Sequence, residues 1–115
     1  MSDNNMNWVL VTDAPLSLDW PENQLIDLEV DGKKITLARW KEGYYAFAQK
    51  CPHASGRMAQ GYINPLGQVV CPLHRYSFDM KNGRNTSGEG YFLKTYPVEQ
   101  RSEGIFIGFK PNSFF

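Results

Sequence analysis

Every cysteine and histidine of the 115-residue chain falls between positions 51 and 74. They form a C-x-H motif at Cys51 and His53 and a C-x-x-H motif at Cys71 and His74, with seventeen residues (54–70) between the motifs. Thiolates and imidazoles are side chains that bind transition metals in proteins. A proline directly after each cysteine fixes one backbone dihedral and removes a donor, so both motifs are predicted to begin as rigid loops.

Two kinds of metal site use two cysteines and two histidines. A single zinc ion takes all four in a tetrahedron, but zinc motifs normally group cysteine with cysteine and histidine with histidine. A two-iron cluster can instead take both thiolates on one iron and both imidazoles on the other. Each motif here holds one residue of each type, which suits two loops that clasp such a cluster. Zinc, and four residues that merely pack or form a disulfide, are the alternatives.

Short strands are predicted to carry these loops. Asp31-Gly32 separates two alternating runs, Leu25–Val30 and Lys33–Trp40, which indicates a hairpin. A turn at 41–43 is predicted to lead into a strand over 44–48. A second turn, at 102–104, is predicted to join strands over 94–100 and 105–109. One short turn or helix is expected within 14–22. Because no window has a sustained helical period, we expect an all-β fold, a small antiparallel sandwich or barrel.

The middle of the chain is predicted to build the site. The residues of Asn64–Gly67 are typical of a type I turn, which would join Tyr62–Ile63 to Gln68–Cys71 in a hairpin whose far ends carry the two motifs. A further turn is expected at 81–83. We therefore expect one domain over residues 1–115, with a cluster-binding subdomain at about 49–90 inserted in the β framework.

Composition argues against several classes of function. Twelve Lys and Arg balance twelve Asp and Glu, so no basic excess favours nucleic acid or an anionic membrane surface as a partner. The apolar runs are far shorter than the roughly 20 residues of a membrane helix, and the polar start does not resemble an export signal. The cytoplasm is therefore the expected location, where cysteines stay reduced.

The two motifs and the residues around them resemble the Rieske family. Matching residues outside the motifs are Tyr45–Lys50, Gly61, Phe78-Asp79 and Gly83. The respiratory and photosynthetic branch of that family has an extra cysteine in each loop, joined by a disulfide, and the corresponding positions here are Gly56 and Leu73. The closer likeness is to soluble ferredoxins and to the Rieske domains of oxygenases, which read Cys-Pro-Leu-His followed by Phe-Asp.

This resemblance implies a ligand set and a function. Cys51 and Cys71 would hold the inner iron of a [2Fe–2S] cluster, and His53 and His74 the outer iron near the surface, where electrons leave. The chain would be a one-electron carrier, not an enzyme, between a flavin-dependent reductase and a terminal oxidoreductase such as an oxygenase. The mononuclear iron of an oxygenase needs two further histidines, and the chain has no others. The alternative is a small accessory subunit of a larger redox enzyme such as nitrite reductase, although relatives of that kind often lack the ligands.

The resemblance also suggests a docking face and a potential. Partners would dock over the two motif loops, on an apolar patch of Pro52 and Leu73 ringed by Arg57 and Arg75, and Met58 would either join this patch or fill a gap in the core. The respiratory and photosynthetic branch, which has a high potential, carries a serine and a tyrosine whose hydroxyls donate hydrogen bonds to the cluster. Tyr76 and Phe78 stand at these two positions, which predicts a low potential. The loop at 87–90 lacks the prolines that relatives often have there.

Overall fold

The computed structural model describes residues 6–52, 56–73, 75–86 and 90–110. These residues form ten strands: β1 (Asn7–Thr12), β2 (Leu25–Val30), β3 (Lys33–Trp40), β4 (Gly43–Ala48), β5 (Tyr62–Ile63), β6 (Gln68–Val70), β7 (Ser77–Asp79), β8 (Thr95–Tyr96), β9 (Val98–Arg101) and β10 (Gly104–Phe109). Two single 3-10 turns lie at Pro15–Ser17 and Met58–Gln60. Within these residues no helix has the length and apolar character needed to cross a membrane.

The strands form three antiparallel sheets, in the orders β1-β10-β9, β2-β3-β4-β8 and β5-β6-β7. The all-β antiparallel fold that the sequence predicts is therefore confirmed. So is the short turn within 14–22, which is the 3-10 turn at Pro15–Ser17. The third sheet lies inside the segment predicted to bind the cluster, and the boundary of that subdomain at about 49–90 stays a prediction.

The β2–β3 hairpin has the predicted strand limits. Its pairing runs to Val30 opposite Lys33. Asp31 and Gly32 form the turn with φ of 53° and 79°, the left-handed values that the favoured two-residue hairpin turns require. Along β3, however, four consecutive residues are buried, Ile35–Ala38. The strand is central and is covered on both faces, so it does not show the alternation of an exposed sheet.

The predicted single strand over 94–100 is wrong. The segment forms two strands in different sheets, β8 beside β4 and β9 beside β10. Pro97 lies between them; it has no N–H to continue a ladder, and its carbonyl accepts the N–H of Gly108 at 2.9 Å. The chain thus changes sheets at this proline. The turn at 102–104 does join β9 to β10, as predicted.

Side-chain oxygens fix the turns of the third sheet. Asn64 closes the β5–β6 turn. Its backbone carbonyl accepts the N–H of Gly67 at 3.0 Å, and its side-chain Oδ1 accepts the N–H groups of Leu66 and Gln68. After β7, the carboxylate of Asp79 accepts the N–H of Lys81 at 2.8 Å. Both predicted turns are confirmed, and the first holds β5 and β6 in the hairpin expected from the sequence.

The sheets enclose two apolar clusters. One joins side chains of the second and third sheets and contains both cysteines: Leu25, Ala38, Phe47, Cys51, Met58, Val69, Cys71, Phe78, Met80 and Leu93. The other lies between the first and second sheets: Val30, Ile35, Ala46, Ile107 and Phe109. Strand β3 contributes to both, through Ala38 and Ile35. We call the first of these the cysteine core.

Candidate metal centre

Each predicted motif lies in a loop closed by the same hydrogen bond. The N–H of Cys51 donates to the carbonyl of Gly56 at 2.9 Å, and the N–H of Cys71 donates to the carbonyl of Tyr76 at 2.7 Å. In both cases the acceptor comes five residues after the cysteine. We call residues 51–56 the first loop and residues 71–76 the second loop. Because the two closures match, Cys51 and Cys71 are held by the same backbone hydrogen bond at the start of their loops.

The two thiols meet inside the protein. Cys51 is 4% exposed and Cys71 is fully buried, and neither forms a disulfide. Burial, followed by a hydrogen bond between the two thiols, raises the pKa of Cys71 to about 11, while the N–H of Leu73 donates to its sulfur and opposes the rise. Metal ligation needs the thiolate, so a metal that binds this pair must displace a tightly held proton.

The second loop is the connection between two paired strands. Cys71 directly follows β6, and Ser77, the first residue of β7, pairs with Val70. Arg75 takes a left-handed conformation, with φ of 57°, where the loop turns back toward β7. The second loop is therefore positioned by the third sheet.

The first loop is positioned by a different sheet. The N–H of Met58 donates to the carbonyl of Gln49 at 2.8 Å, across the base of the loop. The side-chain amide of Gln49 donates to two carbonyls of the β2–β3 hairpin, those of Leu28 and Ile35. Both ends of the loop are thus fastened to the second sheet.

Asn23, just before β2, strengthens this attachment. Its Nδ2 donates to the carbonyls of Ala59 at 2.8 Å and Gly61 at 3.0 Å, in and after the 3-10 turn that follows the first loop. Sequence reasoning missed Asn23 altogether, and it placed Gln49 in the matching stretch Tyr45–Lys50 without assigning it this role. No local motif marks them, because each acts on a segment that is distant along the chain.

Glycines allow the two loops to approach. A Cβ at Gly56 would lie 3.0 Å from Cγ of Leu73 and 3.2 Å from Sγ of Cys71. Positions 56 and 73, which the resemblance places at the missing disulfide, therefore do lie together across the two loops. A Cβ at Gly61 would lie only 1.8 Å from the carbonyl oxygen of Val70, which explains why a glycine stands at this matching position.

Of the four predicted ligands, the structure brings together Cys51 and Cys71. His53 and His74 lie outside the described residues, as does the segment 87–89 of the loop at 87–90. Across 6–52, 56–73, 75–86 and 90–110, no three Cys, His, Asp or Glu side chains gather as a metal site. The described half of the site is the thiol pair and its apolar surroundings.

The structure decides between the two roles predicted for Met58. Met58 is fully buried in the cysteine core, so it fills the core and does not add to a surface patch. Pro52 is exposed, and Leu73 is 41% exposed. Arg57 and Arg75 are also exposed, as expected.

The described residues fit a [2Fe–2S] cluster of the type suggested by the sequence. Its inner iron takes two thiolates, and the structure supplies two thiols in contact. Hydrogen bonds to the sulfurs tune such a cluster, and the Leu73 N–H already points at one of them. The apolar side chains of the cysteine core keep water from the inner side of the site.

Sequence comparison agrees with this chemistry. The model of the Rieske [2Fe–2S] domain matches residues 7–97. The ferredoxin component of the naphthalene 1,2-dioxygenase/salicylate 5-hydroxylase systems of Ralstonia sp. is 33% identical, over 81% of this chain and 86% of its own length. The 3-phenylpropionate/cinnamic acid dioxygenase ferredoxin subunit of Shigella boydii is 32% identical, over 77% of this chain and 84% of its own length.

Solved structures share the fold. The ferredoxin of carbazole 1,9a-dioxygenase from Nocardioides aromaticivorans has a TM-score of 0.74 at 22% identity, over 88% of this chain and 96% of its own. A ferredoxin solved in complex with the oxygenase of carbazole 1,9a-dioxygenase has a TM-score of 0.73 at 19% identity, over 92% and 97%. An NADH-dependent nitrite reductase small subunit from Mycobacterium tuberculosis has a TM-score of 0.78 at 18% identity, over 93% and 98%.

The comparisons and the geometry lead to the same cofactor. The domain model spans most of the chain, including both motifs, and the relatives are ferredoxins that match along most of their own length. The cofactor of this protein is therefore a Rieske-type [2Fe–2S] cluster. The chain belongs to the Rieske [2Fe–2S] domain family, among the ferredoxin components of oxygenase systems.

Proposed function

We propose that this ferredoxin carries single electrons from a flavin-dependent reductase to a terminal oxygenase in the cytoplasm. The observation that carries the proposal is the pair of buried, hydrogen-bonded thiols, each at the start of a loop closed by the same backbone hydrogen bond. The relatives are named as ferredoxin components of dioxygenase systems, which supports the choice of an oxygenase as acceptor. The cluster supplies the one-electron chemistry, and the protein supplies burial, positioning and a docking face.

The proposed ligands are Cys51 and Cys71 on the inner iron and His53 and His74 on the outer iron. They are all the cysteines and histidines of the chain. Two of the four are in contact in the fold. The two histidines belong to the same two loops by sequence, which supports their assignment to the remaining iron.

An accessory role in a nitrite reductase is the second candidate. The high TM-score with a nitrite reductase small subunit shows a common fold. At 18% identity it supports nothing more specific, whereas the ferredoxin relatives exceed 30%. Co-purification with a large siroheme protein in place of a reductase and an oxygenase would favour the accessory role.

Metal analysis tests the ligand set. Protein made with ample iron is expected to contain two irons and two acid-labile sulfides per chain, with the brown-red colour of a Rieske cluster. Stoichiometric zinc in a colourless protein would contradict the proposal.

Replacing one ligand gives a sharper test. Cys71→Ser is expected to remove nearly all of the iron, because the thiolate binds it. Met80→Leu is the matched control, since Met80 is 2% exposed in the same cysteine core and the substitution conserves volume. Iron content is measured on variants whose circular dichroism matches the wild type. A Cys71→Ser protein with a full complement of iron would reject Cys71 as a ligand.

A further inference from the structure

Asp27, on strand β2, connects a buried residue to the base of the first loop. Its Oδ1 accepts a hydrogen bond from the hydroxyl of Thr36 at 2.9 Å, and its Oδ2 pairs with the guanidinium of Arg57. Thr36 is fully buried and stands opposite Asp27 in the β2–β3 register, whereas the Arg57 side chain is 51% exposed. A continuous line of contacts thus runs from the interior to the surface.

Arg57 lies where the first loop closes. It forms an antiparallel bridge with Lys50, the residue before Cys51. It also follows Gly56, whose carbonyl accepts the N–H of Cys51. A displacement of Arg57 therefore moves both the start and the end of the loop that carries Cys51.

The second loop does not share this support. Strands β6 and β7 of the third sheet hold it, and the first loop is fastened to the second sheet. The Asp27–Arg57 pair adds to the attachment of the first loop to the second sheet, between residues thirty positions apart in the sequence.

We propose that Asp27 is a positioning residue of the cluster site: through Arg57 it holds the first loop so that Cys51 stays against Cys71. The inference rests on the ligand set proposed above. An exposed ion pair alone contributes little, partly because two side chains lose freedom. Here the hydroxyl of buried Thr36 already orients the carboxylate, so less freedom remains to be lost when Arg57 binds.

The test compares Arg57→Gln, Asp27→Asn and the double variant. Arg57 is exposed, so its substitution leaves the core intact. The rate of iron release to a chelator is expected to rise about three- to ten-fold in each single variant. The double variant is expected to release iron no faster than the faster single variant, because both substitutions break one interaction. Arg57→Lys, which keeps the charge, is expected to recover most of the wild-type rate.

If Asp27 and Arg57 acted on the cluster only through their separate charges, the two single variants would shift its potential in opposite directions. Removing a positive charge lowers the potential of a cluster, and removing a negative charge raises it. A positioning role instead shifts the g values of the reduced cluster in the same direction in both single variants. Glu99→Gln is the control, because Glu99 forms an ion pair with Arg101 at 2.6 Å in the first sheet, away from the two loops. It is expected to change neither the release rate nor the g values.

Wild-type release rates in both single variants, or effects that multiply in the double variant, would overturn the proposal. So would g-value shifts of opposite sign in the two single variants. Hydrogen exchange of the peptide over 49–58 adds a measurement that needs no cluster, and Arg57→Gln and Asp27→Asn should both accelerate it. Failure of the ligand set would show as missing iron in the wild-type protein, whereas failure of the positioning role would show as unchanged exchange in these two variants.

Discussion

At the scale of single residues, the surroundings of the sulfurs set the expected potential. Phe78 is fully buried in the same core as both cysteines, and its side chain carries no donor. The Leu73 N–H does donate to the sulfur of Cys71. Each hydrogen bond to a sulfur stabilises the more negative, reduced cluster and raises the potential. A phenylalanine where the high-potential branch has a tyrosine therefore favours a low value.

We expect a midpoint potential of about −150 to −50 mV, at the lower end of the Rieske range. Phe78→Tyr is expected to raise it, since the added hydroxyl lies in the cysteine core. Phe109→Tyr adds the same hydroxyl at a buried position on β10, in the other apolar cluster, and is the matched control. A redox titration followed by electron paramagnetic resonance measures all three proteins. A wild-type midpoint above about +100 mV would contradict this interpretation of position 78.

At the scale of elements, local chemistry decided which predictions succeeded. The β2–β3 hairpin was predictable because the turn residues Asp31 and Gly32 themselves adopt the required left-handed conformations. The division of 94–100 into two strands was not, because it depends on which strands lie beside Pro97 after folding. The burial of Thr36 was also hidden, since an alternating pattern does not reveal that both faces of β3 are covered.

The same distinction applies to the site. Cys51 and Cys71 could be named as candidate ligands because their motifs are short and local. The supports at Asn23, Asp27 and Gln49 act across 14 to 38 positions of sequence. A single sequence gives no signal for such contacts, because an asparagine, aspartate or glutamine at these positions is equally compatible with an ordinary solvated surface.

The approach of the third sheet to the 3-10 turn at Met58–Gln60 requires a glycine at position 61. Gly61→Ala would place a methyl group 1.8 Å from the carbonyl of Val70, which is backbone and cannot rotate away. We expect the free energy of unfolding to fall by at least about 2 kcal/mol, measured by denaturant titration. Gly90→Ala, where the added methyl meets open space, should stay within about 0.5 kcal/mol of the wild type. Equal effects of the two substitutions would show that this close contact does not constrain the fold.

At the scale of the whole molecule, the charge is balanced, with a formal net charge of zero. Long-range attraction between net charges therefore contributes little to finding a partner, and local contacts must select it. Leu73 is exposed on the second loop, next to the proposed cluster ligands. Transient redox complexes bury small interfaces, so one exposed side chain at the centre of the interface is expected to contribute much of the binding.

Leu73→Asp is expected to slow electron transfer to the oxygenase by about ten-fold or more while the visible spectrum of the cluster stays unchanged. Leu66→Asp is the control: Leu66 is 77% exposed at the β5–β6 turn, at the other end of the hairpin from the loops. Stopped-flow kinetics with the purified partners gives both rates. Equal rates for Leu73→Asp and wild type would place the docking face elsewhere.

The pairing of β1 with β10 has a consequence for how this domain can be used. Asn7, the first residue of β1, stands opposite Phe109, the last residue of β10. Polypeptide that enters and leaves through these strands does so from neighbouring points, which is the geometry that domain insertion and circular permutation require. We therefore expect the domain to fold when it is inserted into a loop of a host protein. A gene fusion could carry the electron-transfer unit into a larger enzyme without breaking any of its three sheets.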